Sequence, residues 1–145
     1  MISSRAPFKA SEVLPPRPNL KSLMSLTPLQ GHVSVIYAGS FFHLFDEAEQ
    51  LRIALKLRSL LSPLPGSIIF GAHIGALVEG TSTYPKCGPK GFCHSPGSWK
   101  DLWEGQVFEK GEIRVDTQAV EAIYKKHEKV EAEEAYWLYW SITRL

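Results

Sequence analysis

The chain has 145 residues, of which 44% are hydrophobic and 21% are charged, and its net charge is +1. This size and composition suit one soluble globular domain, and they exclude a disordered chain, a coiled coil and a collagen-like repeat. The balanced charge argues against nucleic acid and anionic lipid as partners. Because no apolar run is long enough for a membrane span or a secretory signal, and Cys87 and Cys93 cannot form a disulfide scaffold, we expect a cytoplasmic protein.

The first thirty residues differ in composition from the rest of the chain. They hold five of the ten prolines and more basic than acidic side chains. Pro15–Pro18 excludes a helix interior or a central strand at that point. We therefore divide the chain into a proline-rich segment, residues 1–30, and a domain body, residues 31–145. Residues 1–6 remain open to interpretation as a leader or a tail.

A strand, a helix and a second strand are predicted next. Val33–Ala38 is a β-branched apolar run of the kind that is buried on both faces of a parallel sheet. Asp46 is a typical N-cap, and from Ala48 to Leu61 the leucines recur at helical spacing. Ser67–Gly71 is a short apolar strand. The order predicts a βαβ unit with parallel strands and a right-handed crossover.

The remaining elements are less regular. Residues 75–98 are rich in Gly, Pro and Ser and predict a long loop, and Ser95–Ser98 predicts the start of a helix. Glu112–Asp116 alternates like a strand with one solvated face. After a mixed-charge stretch at Lys125–Glu134, Tyr136–Thr143 predicts an interior strand, because it is β-prone and apolar on both faces. The last two strands are expected to pair antiparallel.

Two stretches of this sequence are similar to a known family. Val33–Gly75 resembles the second half of class I S-adenosylmethionine-dependent methyltransferases, and Phe92–Trp103 resembles the stretch before their last crossover helix. The likeness is greatest to small fungal methyltransferases of secondary metabolism. It implies an α/β fold with a partial Rossmann-like sheet, truncated at the N-terminus, in which parallel strands end in an antiparallel hairpin. Residues 1–30 would include the remnant of the third strand and its acidic turn.

The resemblance implies S-adenosylmethionine-dependent methyl transfer to a small organic molecule, at oxygen. The family's Glu/Asp-x-Gly-x-Gly-x-Gly cofactor loop has no counterpart in this sequence, since Gly71–Gly75 has the wrong spacing. Whether the chain is an active enzyme therefore stays open. The alternative is a non-catalytic remnant or interaction module. A hydrolase fragment is a third interpretation, but no Gly-x-Ser-x-Gly elbow is present.

The resemblance also implies which residues contact the cofactor. The carboxylate of Glu12 would accept a hydrogen bond from the adenine amino group. For Glu12 the alternative is a surface acid in a proline-rich tail. For Ala38, Gly39 and Ser40 the alternative is a tight turn after the strand. The cofactor-binding residues are predicted to be Ser11, Glu12 and Val13 in the first group, and Ala38, Gly39 and Ser40 in the second.

The substrate pocket is expected beside these residues. Phe41, Phe42 and His73 would contact the substrate, and His43 would act as the catalytic base that takes a proton from the acceptor. The alternative is that Phe41 or Phe42 packs in the core and His43 bonds a backbone carbonyl. The Cys87, Cys93 and His94 spacing fits no common zinc site, so we predict no metal.

An exposed sheet edge is the last expectation. In the complete family fold, the strand equivalent to Val33–Tyr37 pairs with a first strand that this sequence lacks. An unpaired apolar edge of this kind invites pairing with another chain. We therefore expect a homodimer or a partner chain at Val33–Tyr37, or occupation of the edge by residues 6–14.

Overall fold

A computed structural model describes residues 16–81, 90–122 and 136–145 of the chain. Short 3-10 turns lie at Leu20–Ser22, Thr27–Leu29 and Phe42–Leu44. The helices and strands of these ranges are β1 (Val35–Tyr37), α1 (Glu47–Leu60), β2 (Ile68–Gly75), β3 (Gly80–Thr81), β4 (Phe92–Cys93), α2 (Pro96–Trp103), β5 (Ile113–Glu121) and β6 (Tyr136–Arg144). None of the described helices is long and apolar enough to cross a bilayer.

The predicted βαβ unit is confirmed. Strand β1 pairs with β2 in parallel, with Val35 opposite Ile68, and α1 connects them. The Asp46 side chain caps α1 by accepting a hydrogen bond from the backbone N–H of Glu49 at 2.8 Å. The cap satisfies one of the unpaired amides of the first helical turn, which explains why α1 begins where the sequence predicts.

The main sheet has four strands in the order β1-β2-β6-β5. Strand β6 is antiparallel to both of its neighbours, so β1, β2 and β5 run in one direction and β6 runs in the other. The predicted antiparallel pairing of the last two strands is confirmed, and Tyr136–Arg144 is an interior strand as expected. The chain is thus a mixed α/β structure in which only the β1–β2 pair is directly parallel.

One face of this sheet carries the core. Alternate residues of a strand point to opposite faces, and the inward-facing side chains include Ile69, Leu138 and Ile142, which cluster with Ala54 of α1 and Trp99 of α2. The opposite face has exposed apolar side chains. These are Val35, Tyr37, Phe70, Val120 and Tyr139.

The expectation that Val33–Ala38 is buried on both faces is wrong. Val35 is 60% exposed and Tyr37 is 70% exposed, because both point to the open face, while Ile36 packs toward the core. Strand β1 is also at the edge of the sheet among the described strands, as expected of Val33–Tyr37. Residues 6–14, the predicted occupants of that edge, lie outside the described residues.

Other elements differ from prediction in extent. The strand predicted at Ser67–Gly71 continues to Gly75. The predicted loop at residues 75–98 contains a two-stranded antiparallel sheet of β3 and β4. The predicted helix start at Ser95–Ser98 is confirmed, and Ser95 and Ser98 form a reciprocal capping box there. The mixed-charge stretch at Lys125–Glu134 falls outside the described residues.

Candidate functional site

The candidate site lies where β1 and β2 end. Because the two strands are parallel, their carboxyl ends meet at one edge of the sheet, where ligands of open α/β sheets bind. Ala38 and Ser40 continue along β2: the Ala38 N–H donates to the Phe70 carbonyl at 2.9 Å and the Ser40 N–H donates to the Ala72 carbonyl at 2.7 Å. The predicted cofactor-binding segment is therefore tied to β2.

The conformation of this segment explains its small residues. A Cβ on Gly39 would lie 2.1 Å from the hydroxyl oxygen of Tyr37, an exposed side chain that could turn aside to accommodate it. Ser40 has a φ of 51°, in the left-handed region. Small side chains suit close approach of a cofactor, but the Ala38 and Ser40 amides are already bonded. The described part of the predicted cofactor site therefore offers no free amide donor at Ala38 or Ser40, and the Tyr37 side chain lies against Gly39.

The other predicted cofactor residues, Ser11, Glu12 and Val13, lie outside the described residues. The structure thus places one of the two predicted cofactor segments. Ala38, Gly39 and Ser40 stand at the expected edge of the sheet, and their geometry is compatible with both the tight-turn and the cofactor interpretations.

The two predicted substrate phenylalanines have different environments. Phe42 is fully buried, and its ring packs edge-on against Trp99 at a centroid distance of 4.9 Å. Phe41 is exposed and contacts Phe45 at 5.1 Å. Phe42 therefore belongs to the aromatic core, and of the two only Phe41 is at the surface.

His43 and His73, the predicted base and a predicted substrate contact, lie next to each other. Their rings stack at a centroid distance of 6.3 Å with an interplanar angle of 19°. His43 is buried, and its Nδ1 has no hydrogen-bond partner among the described residues. Its proposed role as a base needs a nitrogen that can accept a proton, and the unbonded Nδ1 meets that requirement.

His73 lies within β2 rather than after the strand, and it is 1% exposed. The indole Nε1–H of Trp140 donates to His73 Nδ1 at 2.9 Å. The register explains the contact: His73 is opposite Leu138 and Gly71 is opposite Trp140. Because Gly71 has no side chain, the Trp140 indole can lie across it and reach the diagonal neighbour His73.

Burial keeps these histidines neutral. Burial lowers the pKa of His73 to about 3, with further lowering from the neighbouring His43 and His94. Burial also lowers the pKa of His43. Neutral imidazole is the form that can accept a proton or donate a hydrogen bond, and a lowered pKa makes a weaker base.

His94, whose sequence context suggested only a possible metal ligand, also lies in this cluster. His94 follows β4, is buried, and packs edge-on against Trp99 at 5.2 Å. Its Nδ1 lies 2.9 Å from the Ser98 hydroxyl oxygen. Burial lowers its pKa to about 4, opposed by the charge of Glu79. The signal that could have found it is the helix start, which puts Ser98 one turn after His94.

No group of three His, Cys, Asp or Glu side chains suited to a metal ion occurs in the described ranges. Cys93 is buried, and Cys87 lies outside those ranges. Three buried histidines form the candidate site: His73 and His94 pack against Trp99, and His43 lies against His73. We call His43, His73 and His94 the histidine cluster.

Comparison with known proteins gives relatives of one kind. The O-methyltransferase phiE of a fungal species is 40% identical over 87 residues, which cover 59% of this chain and 29% of that protein. Methyltransferase adrK of Penicillium roqueforti is 30% identical over 104 residues, covering 70% and 37% respectively. The Asnovolin E/Chermesin D methyltransferase nvfJ of Aspergillus novofumigatus is 34% identical over 93 residues, covering 63% and 31%.

These matches confirm the resemblance to fungal methyltransferases of secondary-metabolism type. No protein-family profile matches the chain. The chain spans about a third of the length of the curated relatives it matches.

Proposed function

We propose that this chain, a relative of fungal methyltransferases, forms the acceptor side of an S-adenosylmethionine-dependent O-methyltransferase that acts on a small organic molecule. The observation that carries the proposal is the 40% identity over 87 residues to an O-methyltransferase. The strand order β1-β2-β6-β5, with β6 reversed, supports it, because the resemblance implies a reversed last strand beside the fifth strand of a Rossmann-like sheet.

The site supports this chemistry in two ways. Methyl transfer is mainly the in-line positioning of donor and acceptor, and S-adenosylmethionine, when bound, supplies the methyl group from its sulfonium. The residues Ala38, Gly39 and Ser40 at the sheet edge are small, the exposed Tyr37 side chain beside Gly39 can turn aside to admit a cofactor, and His43 and His73 provide neutral polar groups. His43 Nδ1 is the atom proposed to take a proton where the acceptor requires it.

The missing glycine-rich loop limits what these 145 residues do alone. That loop lets the cofactor approach the backbone closely, as only glycine allows. We therefore propose that the chain by itself holds S-adenosylmethionine through Glu12 and the Ala38–Ser40 edge, with weak or no turnover.

Isothermal titration of S-adenosylhomocysteine into the full chain tests the proposal, with adenosine monophosphate as the control ligand. We expect saturable binding that Glu12→Gln weakens about tenfold, as the loss of a charge-assisted hydrogen bond would. Glu47→Gln, on the exposed first turn of α1, is the matched control and should leave the affinity unchanged. No heat up to millimolar ligand would overturn cofactor binding by this chain.

A second candidate function is an interaction module, and a specific observation favours it. Val35 and Tyr37 are exposed on an apolar sheet face and belong to the edge strand β1. The ring of Tyr37 contacts that of Phe70 at 5.3 Å, so the patch is continuous across two strands. Pairing of β1 with a second copy or a partner chain would bond the open backbone edge of this strand, and packing of the partner against the sheet face would cover the patch.

Sedimentation velocity tests this alternative. If a second copy covers β1, the chain should dimerise and Val35→Lys should shift it to monomer. Leu64→Lys is the matched control, since Leu64 is also exposed but lies in the turn after α1. A dimer that persists unchanged in Val35→Lys would count against pairing at this strand.

A further inference from the structure

We propose that His73 and His94 form a pair of fixed N–H donors that bind an oxygen atom of the small-molecule substrate. In this proposal Ser98 is the positioning residue that fixes the tautomer of His94. The inference rests on the proposed methyltransferase function, because it assigns a binding role to the histidine cluster of that site.

The tautomer of His73 follows from its partner. The indole nitrogen of tryptophan can only donate a hydrogen bond. Since Trp140 Nε1 lies 2.9 Å from His73 Nδ1, Nδ1 must be the acceptor, and the neutral ring carries its proton on Nε2. That Nε2 is buried and has no hydrogen-bond partner in the part of the chain that the structure describes. The Nε2–H of His73 is therefore a donor that has no acceptor among the described residues.

The tautomer of His94 follows from the capping box of α2. The Ser98 hydroxyl accepts from the Ser95 backbone N–H at 3.0 Å, so its own proton must go to another acceptor. Two acceptors are available: His94 Nδ1 at 2.9 Å and the Ser95 carbonyl at 3.4 Å. The shorter contact is the better O–H donor geometry. His94 Nδ1 is then an acceptor, and its proton lies on Nε2.

A carboxylate holds the box that positions Ser98. The Ser95 hydroxyl donates to the Glu79 carboxylate at 2.9 Å and accepts from the Ser98 backbone N–H at 3.1 Å. Because the Ser95 hydroxyl has only one proton, its bond to Glu79 leaves its oxygen as the acceptor for Ser98. The chain from Glu79 through Ser95 thus holds the Ser98 backbone in place, with the Ser98 hydroxyl oxygen 2.9 Å from His94 Nδ1.

The rings of both donors pack against Trp99. The ring centroids of His73 and His94 lie 4.7 and 5.2 Å from that of Trp99, and His94 Nε2, like His73 Nε2, has no partner within the described residues. A buried donor without an acceptor is unfavourable, and a ligand that supplies an acceptor removes that cost. An N–H donor needs an acceptor oxygen, and a carbonyl or a carboxylate offers one without a proton of its own that would need a further partner.

Imidazole nitrogen-15 NMR of the full chain at neutral pH tests the tautomers and the binding together. Long-range proton–nitrogen spectra distinguish Nε2–H from Nδ1–H rings. Three probes that share a phenyl ring are titrated. Benzoate offers a carboxylate, benzamide offers a carbonyl, and benzylamine offers only a cationic donor. We expect both histidines to be Nε2–H, and both Nε2 resonances to move saturably with an oxygen probe but not with benzylamine.

Two variants separate positioning from folding. Ser98→Ala should mix the tautomers of His94 and weaken binding of the oxygen probe about fivefold, as the loss of one hydrogen bond would. Ser22→Ala, which removes an exposed hydroxyl at the surface, should change neither. A shift with benzoate alone would identify a carboxylate as the ligand group, and equal shifts with benzamide would identify a carbonyl.

The proposal is overturned if either ring is Nδ1–H, or if no oxygen probe moves the resonances at millimolar concentration. Its failure is distinguishable from that of the methyltransferase proposal. Probe binding without binding of S-adenosylhomocysteine would leave the donor pair standing and remove the cofactor role of the chain. The reverse result would keep the cofactor role and remove the donor pair.

Discussion

Trp140 Nε1–H donates to His73 Nδ1 at 2.9 Å, which joins the interior strand β6 to β2 through two buried side chains. A buried hydrogen bond of this kind places an imidazole in an apolar core without leaving its Nδ1 unsatisfied. The same bond decides which nitrogen of His73 carries the proton. The aromatic core and the candidate site therefore share this residue pair.

The histidine cluster predicts that stability falls in acid. Burial lowers the pKa of His73 to about 3 and that of His94 to about 4, from 6.5 in the unfolded chain. As pH falls below about 6.5, the unfolded state binds protons that the native state excludes. The free energy of unfolding should therefore decrease between about pH 6.5 and pH 4, by about 1.4 kcal/mol per pH unit for each histidine.

Urea denaturation at several pH values measures this slope. His94→Gln removes one of the two strongly shifted groups and should reduce the slope by about half. His32→Gln removes a histidine outside the cluster and is the matched control. Equal changes of slope in the two variants would show that the cluster is not the source of the pH dependence.

Gly71 is one of two positions in β2, with Gly75, at which an added Cβ would clash with its neighbours. A Cβ on Gly71 would lie 2.2 Å from the Ala38 carbonyl oxygen and 3.0 Å from the Trp140 ring. Gly71→Ala should therefore destabilise the protein by about 2–4 kcal/mol through overpacking and strand displacement, measured by chemical denaturation. Gly80→Ala is the control, because no atom lies within 4 Å of its Cβ position, and a similar loss there would contradict the steric explanation.

Local signals in the sequence predicted much of the fold. The Asp46 cap and the leucine spacing of α1 are contained within one helix, and the apolar run at Tyr136–Thr143 is β-prone whatever surrounds it. These elements appear where they were expected. The continuation of β2 to Gly75 was not predictable in this way, because Gly71 and Gly75 have low strand propensity, and the long pairing with β6 overrides that preference.

The site depends on tertiary contacts that no single segment reveals. The open sheet face was missed because the burial of Val35 and Tyr37 depends on what packs against them, not on their hydrophobicity. His73 was expected after its strand because the strand appeared to end at Gly71. His94 acquires its role from Ser98 and Trp99, and only the fold of α2 back toward β2 brings it to His73.

The N-cap residue of α1, Asp46, can be tested with one disruptive and one conservative substitution. Asp46→Ala should cost about 1 kcal/mol of unfolding free energy, because the Glu49 amide loses its acceptor at the start of α1. Asp46→Asn keeps a side-chain oxygen at that position and should cost much less. Thermal denaturation followed by circular dichroism measures both variants, and equal losses would show that the cap geometry does not contribute.

Two arginines contact the ring of one core phenylalanine. The guanidinium carbons of Arg58 and Arg144 lie 4.9 and 4.6 Å from the Phe108 ring centroid. Glu112 bridges them, with carboxylate oxygens 3.7 Å from Arg58 Nη2 and 3.4 Å from Arg144 Nη1. Glu112→Gln leaves two partly desolvated cations together without an anion, so we expect a loss of about 2 kcal/mol of unfolding free energy.

The exposed pair of Arg114 and Asp116 provides the matched control. Its N–O distance is 3.0 Å, shorter than either contact of Glu112, yet both side chains are more than half exposed. Solvent screening makes such pairs worth well under about 1 kcal/mol, so Asp116→Asn should change stability little. Denaturation at low and high salt measures both variants. If burial rather than distance determines the strength of these ion pairs, the loss in Glu112→Gln exceeds that in Asp116→Asn at both salt concentrations, and the opposite order would refute this explanation.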